Sequence, residues 1–233
     1  MCGEISMNLH GIDCVLFDLD GTLVDSAPDL LEAVNRVLAD ANAPPLDLAE
    51  LRPVVSKGAR AMLALAFPQL DAEQREHLVQ PMLDHYASAI AVHTRPFDGI
   101  ESLLGRIERA GMRWGIITNK SEALAREVAH AMGWSERSAV LIGGDTLPTR
   151  KPSPAQLLHA CELMDVTPDH CVYVGDDERD IQAAHAAGMP SVAALWGYRE
   201  AHENPEDWRA DRNIAHPLEL CFELAEGIVR DRA

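Results

Sequence analysis

Apolar residues along the chain alternate between two patterns: short unbroken runs, and longer stretches in which they recur every three or four positions. "CVLF" (14–17), "WGIIT" (114–118), "AVLIGG" (139–144), "CVYVG" (171–175) and "SVAALW" (191–196) are runs of the first kind and predict buried strands. Four of them pass, after a short connection, into a helical pattern. The spacing predicts a helix over 122–132, opened by Ser121 and stopped by Gly133, and another over 154–165, with Ser153 as cap and Pro154 at its first position. Strands of this kind, joined by right-handed crossovers, make a doubly wound, Rossmann-like parallel sheet. Its sites lie where the strands end.

Nearly a hundred residues separate the first predicted strand from the second, where a crossover needs about a dozen. Leu30, Leu31, Val34, Val37 and Leu38 follow one helical period, Met62, Leu63 and Leu65 mark a second helix, and Leu78, Val79, Met82, Leu83, Tyr86 and Ile90 a third. Pro81 falls inside that third helix and is expected to kink or split it. The reading is an α/β core formed by 12–26 and 94–233, a helical module at 27–93 covering the sheet's active edge, and a disordered tail at 1–11.

Composition narrows the partners. A formal net charge of −17 describes a self-repelling chain that nucleic acid or an anionic membrane rejects, so an anionic substrate has to be drawn in by local positive charge or a metal. The five cysteines are odd in number, scattered and free of any CxxC pair, which argues against a disulfide framework and a zinc site and points to the cytoplasm. No apolar run approaches the roughly 18 residues of a spanning helix, and the first eleven residues have neither a basic nor an apolar leader region. His77, His85 and His93 recur every eight residues, an interval that drifts around a helix, and read as solvated side chains. The oligomeric state is left open.

The strand ends carry, in order, Asp18 with Asp20, Thr118 with Asn119, Lys151 in "TRKPSP", and Asp176 with Asp177 in "VGDDERD". Each alone has an ordinary explanation: an Asx-turn, a helix cap, a solvated lysine, an acidic loop. Together, at four separate strand ends, they are the parts of one phosphate site. At this point the chain resembles the haloacid dehalogenase superfamily of phosphohydrolases. "DLDGT" looks like its first motif, "ITN" its second, the lysine of "RKPSP" its third and "GDDERD" its fourth, and the insertion looks like the family's helical cap.

The resemblance implies a small phosphorylated metabolite as substrate and Mg²⁺ as cofactor. A phosphate monoester repels an attacking carboxylate unless a cation neutralises both. It further implies Asp18 as nucleophile, forming an aspartyl-phosphate, and Asp20 as acid and base. The metal would be held by the Asp18 and Asp176 carboxylates and the Asp20 main-chain carbonyl, with Asp177 and Asp180 as orienting neighbours. Thr118 and Asn119 would hold phosphoryl oxygens, and Lys151 would offset charge in the transition state. Lys57 and Arg60, cations of the inserted module, are expected to meet the substrate, with Arg60 reading a carboxylate.

"VSKGARAM" (55–62), "WGIITNK" (114–120), "WGYREAHENPEDWRAD" (196–211) and "HPLEL" (216–220) look like the subgroup that dephosphorylates N-acetylmuramic acid 6-phosphate in cell-wall recycling. The general pattern equally resembles phosphoglycolate phosphatases, and Lys57 departs from the muramyl subgroup. A dehalogenase would lack Asp20, whereas a sugar phosphomutase shares every core residue. A phospho-acceptor receiver module uses similar side chains, but in another order along the chain.

Overall fold

The computed structural model describes residues 11–220, so the expected tail up to residue 10, Cys2 and Cys221 lie outside the described residues. Within them, the apolar runs form a parallel sheet from β1 (Cys14–Phe17), β4 (Arg113–Ile117), β5 (Leu141–Ile142), β6 (Cys171–Gly175), β7 (Ser191–Ala194) and β8 (Arg212–Ile214). The spatial order is β5-β4-β1-β6-β7-β8. The chain builds outward from β1 to β5 on one side, then crosses to β6 and builds outward on the other. That reversal opens a crevice at the carboxyl end of β1, between β4 and β6.

The side-chain alternation of β1 sorts the core into two layers. Val15 and Phe17 pack with Trp114, Ile116 and the apolar stripe Leu103, Leu104 and Ile107 of α5 (Ile100–Arg109), together with Val128 of α6 (Glu122–Ala131). Cys14 and Leu16 face the other way, against Leu157 and Ala160 of α7 (Ala155–Met164) and Ala183 and Ala184 of α8 (Glu178–Ala187). Both helices read from the sequence are thus present to within a residue or two. At α6 Ser121 holds the cap position without a side-chain bond, and Asp145 instead accepts the Glu122 N–H at 2.7 Å.

The insertion folds into α1 (Ala27–Asp40), the short α2 (Leu48–Leu51), a 3₁₀ turn over Arg52–Lys57, α3 (Ala59–Ala66) and α4 (Ala72–Ser88). Val34, Leu38, Leu51, Leu63, Met82 and Tyr86 form its apolar centre. The two strands that lead in and out, β2 (Val24–Asp25) and β3 (Arg95–Pro96), pair antiparallel. Asp29 fastens the return segment, accepting the His93 and Thr94 N–H groups and the Thr94 hydroxyl at 2.8, 2.9 and 2.6 Å.

Of the two outcomes expected at Pro81, one is excluded. Pro81 does not split its helix, since α4 runs through it unbroken. Pro81 and His77, whose carbonyl loses its helical donor, are both exposed, so the missing hydrogen bond falls on the solvent side.

Candidate active site

Three neighbouring strands deliver their end residues to one place. The Asp18 N–H extends the ladder by bonding the Val174 carbonyl at 2.9 Å, and the Thr118 N–H bonds the Ile142 carbonyl at 3.0 Å. Asp176 follows directly on β6. After Asp20 the chain turns sharply through Gly21, at φ +89, and lies so close to Asp176 that a β-carbon there would stand 2.2 Å from its carboxylate. Only glycine permits both the conformation and the approach.

Asp18, Asp176 and Asp180 are buried, with carboxylate oxygens within 4.8 Å of one another. Thr22 and Ser56 donate their hydroxyls to Asp176 at 3.0 and 2.8 Å, and the Tyr198 N–H donates at 2.9 Å. Burial, then the charges of Asp18 and Asp180, push its carboxyl well above the ordinary range. Three hard-oxygen donors crowded out of water repel one another, and a divalent cation relieves that repulsion. The donor set therefore fits a metal of this class.

Asp180 sits inside this cluster, and a capping box puts it there. At the third position of α8 its carboxylate turns back to accept the Asp177 N–H, 3.1 Å away. Asp177, expected to orient the site, is buried on the cavity wall and bonds the cations beside it: it accepts the Arg179 N–H and guanidinium at 3.0 and 2.7 Å and the Lys57 ammonium at 2.8 Å. Burial raises its pKa, but Arg179 and Lys57 outweigh that and hold it at about 2.

Lys151 is almost wholly buried, its ammonium 2.9 Å from Asp18, 2.7 Å from Asp180 and 2.8 Å from the Tyr173 hydroxyl. Burial disfavours the charge, and the two carboxylates restore it, leaving the pKa raised. Asn119 lines the cavity beside Thr118, but its side-chain amide is engaged. Its amide clamps the Lys151 main chain, donating to the carbonyl at 3.0 Å and accepting the N–H at 3.1 Å. Thr118 is buried on the cavity wall, and its hydroxyl oxygen accepts the Lys120 N–H at 3.3 Å.

Asp20 has partners that the motifs do not announce. Ser26 donates its hydroxyl at 2.5 Å, and the Lys120 ammonium stands 3.1 and 3.0 Å from the two carboxylate oxygens. Lys120 also lies 4.3 Å above the ring of Tyr86, a residue of α4. Desolvation works against its charge, yet Asp20 beside it keeps the pKa raised. Sequence reasoning missed Lys120 as a site residue. The available signal was its position directly after Thr118 and Asn119, at a strand end of an acidic chain.

A cavity of about 320 Å³ lies between this strand edge and the helices above it; Asp18, Asp20, Thr118, Lys120, Lys151 and Tyr86 are among its walls. Lys57 and Arg60 also line it. Lys57 is held by Asp177 and Glu203, at 2.8 and 2.5 Å. Arg60, expected to point its guanidinium at the substrate, forks it onto Glu76 at 2.7 and 2.6 Å and is largely exposed. The exposed, acidic outer face of α4 captures it.

Comparison with known proteins agrees with this geometry. Residues 12–188 match the family model described as haloacid dehalogenase-like hydrolase. A protein of Xanthomonas campestris pv. campestris (strain 8004) named phosphoglycolate phosphatase is 56% identical over 206 residues, covering 88% of this chain and 93% of that one. The N-acetylmuramic acid 6-phosphate phosphatase of Pseudomonas aeruginosa is 43% identical over 210 residues, covering 90% and 93%. The crystal structure of a predicted phosphoglycolate phosphatase from Haemophilus somnus 129PT superposes with a TM-score of 0.81 at 25% identity, over 92% of this chain and 98% of that one. No helix among the described residues is long and apolar enough to cross a membrane.

Proposed function

The chain belongs to the haloacid dehalogenase-like hydrolases and is a phosphomonoester hydrolase, and from that premise we propose that it hydrolyses 2-phosphoglycolate to glycolate and phosphate with Mg²⁺ as cofactor. One observation carries the chemistry: Asp18 lies at the switch point of the sheet, 2.9 Å from the Lys151 ammonium and in one cluster with Asp176 and Asp180. The choice of substrate is supported by the 56% identity to a protein named phosphoglycolate phosphatase, against 43% to one named for the muramyl substrate. The muramyl expectation therefore yields to its alternative.

In this reading the Asp18 carboxylate attacks phosphorus and the ester P–O bond breaks. Asp20 gives its proton to the departing glycolate oxygen. Asp20 then takes a proton from the water that attacks the aspartyl-phosphate, which releases phosphate and restores Asp18. Thr118 and the N–H groups opening α6 hold the phosphoryl oxygens, and Lys151 offsets their growing charge. A divalent cation held by Asp18 and Asp176, with the Asp20 carbonyl and Asp180 beside it, would supply the positive charge that lets one anion approach another. Residues 27–93 act as a cap closing the cavity, and the enzyme works in the cytoplasm, where the free thiols of Cys14, Cys161 and Cys171 stay reduced.

The test is side-by-side turnover of 2-phosphoglycolate and N-acetylmuramic acid 6-phosphate by purified protein with Mg²⁺. The expected result is a kcat/KM at least about tenfold higher for phosphoglycolate. The reverse ranking assigns the enzyme to the muramyl ester, and no phosphate from either removes both.

A further inference from the structure

We propose that Lys120 and Tyr86 form the subsite for the substrate's carboxylate, set directly beside the acid–base residue Asp20. The inference rests on the phosphoglycolate reading and adds the residues that recognise the part of that substrate which is not phosphate.

Two independent observations meet in the same stretch of cavity wall. The first is the Lys120 ammonium, which is desolvated, held in place by the ring of Tyr86, and has two of its three donors accounted for by the Asp20 oxygens. The second is the Tyr86 hydroxyl, which is buried, interacts with the Lys120 ammonium, and makes no well-formed hydrogen bond among the described residues. A buried hydroxyl without a well-formed hydrogen bond is costly, and an anionic oxygen arriving in the cavity removes that cost. A carboxylate suits both groups, because it accepts from an ammonium and from a phenol together.

The chemistry of the ester places it there. In 2-phosphoglycolate the carboxyl carbon is two bonds from the oxygen that Asp20 protonates, so a substrate seated on Asp18 brings its carboxylate to the neighbourhood of Asp20. The cation in that neighbourhood is Lys120, about 3 Å away. The other cations of the wall are engaged elsewhere or stand at the rim. Lys151 serves Asp18 and Asp180, Lys57 serves Asp177 and Glu203, Arg179 serves Asp177, and Arg60 serves Glu76. Arg150 is exposed. In N-acetylmuramic acid 6-phosphate the sugar ring separates the carboxylate, on the C3 ether, from the phosphate on C6, so the carboxylate is not held two bonds from the leaving oxygen.

The experiment compares kcat/KM for 2-phosphoglycolate with that for ethyl phosphate, which has the same leaving atom and no carboxylate. In Lys120→Met the ratio should fall about 10- to 100-fold, the range of a lost charge-assisted hydrogen bond, with part of it restored in Lys120→Arg. Tyr86→Phe should lower the ratio about fivefold without lowering the melting temperature, since the hydroxyl it removes makes no well-formed hydrogen bond in the free protein. Equal losses on both esters in Lys120→Met, with the ratio unmoved in Tyr86→Phe, overturn the inference and leave Lys120 as a support for Asp20. A larger drop of the ratio in Arg150→Ala than in Lys120→Met moves the role to the rim and also overturns it. If the wild-type ratio is itself near one, the phosphoglycolate reading fails and the subsite fails with it, an outcome visible before any variant is made.

Discussion

Asp18 and Asp20 are two positions apart, yet Asp18 is paired with Lys151 and Asp20 with Lys120, and this separates their roles. Asp18→Asn should abolish release of phosphate from an aryl phosphate, because an amide cannot form the acyl-phosphate, while the far-UV circular dichroism stays that of the wild type. Retained turnover in this variant would remove Asp18 as nucleophile. Asp20→Asn should slow turnover by about 10² or more, the usual scale of general acid–base catalysis, with Mg²⁺ affinity nearly unchanged because the proposed metal contact is the main-chain carbonyl. A metal titration in which affinity falls with rate would show instead that the carboxylate binds the ion. The motif residues were legible in the sequence because a charge at the end of an apolar run has few structural uses. Lys120 was not, since its burial depends on Asp20, 100 positions away, and on a ring from the insertion. The clamp that the Asn119 amide makes on Lys151 was hidden for the same reason, its partner lying 32 positions on. Asp180 could have been placed, because Asp-x-x-Asp before a helix is a capping signal that turns the second carboxylate back toward the strand end.

Elements with a pattern of their own were readable, and those held by distant contacts were not. The strand β8, "RNI", carries a single apolar residue and owes its place to pairing with β7. The start of α1 shows the same dependence. Ser26 stands at the cap, but its hydroxyl is drawn to Asp20, so the open N–H groups of Ser26 and Ala27 turn to the Tyr198 hydroxyl, at 2.8 and 3.1 Å. That hydroxyl in turn donates to Asp25 at 2.7 Å. One phenol from the loop after β7 thus fixes the point where the insertion begins. Tyr198→Phe leaves the Ser26 N–H without its partner, the Ala27 N–H with only Asp25 at 3.4 Å and Asp25 with Arg52 and that long contact alone, and should cost about 1–3 kcal/mol, read as a lower urea midpoint at unchanged slope. A loss below about 0.5 kcal/mol, the level of an ordinary surface change, would mean that the hinge is held by packing alone.

At the scale of the whole molecule, the long gap between the first two predicted strands was enough to announce an inserted helical layer, but the cavity between that layer and the sheet has no sequence signature of its own. Its character comes from charge. A chain of net charge −17 gathers three buried carboxyl groups at its centre against the one ammonium of Lys151, so without metal the cluster either bears mutual repulsion or holds a proton on Asp176, whose affinity for protons burial raises. Folded protein should then bind Mg²⁺ and unfolded chain should not. At a free Mg²⁺ concentration 100 times its Kd this linkage gives about 2.7 kcal/mol, a rise in Tm of about 5–10 °C for a chain of this size, reversed by chelator. Asp176→Asn separates the cluster's repulsion from its binding. An asparagine can keep its oxygen toward the Tyr198 N–H and Ser56 hydroxyl, which donate to one carboxylate oxygen, and turn its NH₂ to the Thr22 hydroxyl on the other side. The hydrogen bonds survive, and the group can no longer ionise or repel its neighbours. The metal-free variant should melt higher than the metal-free wild type, by about 2–6 °C, and should gain little from Mg²⁺. Scanning calorimetry of both proteins with and without Mg²⁺ decides it: a variant that melts lower without metal would show that Asp176 stabilises the fold through its charge, and one that keeps the full Mg²⁺ shift would place the ion elsewhere.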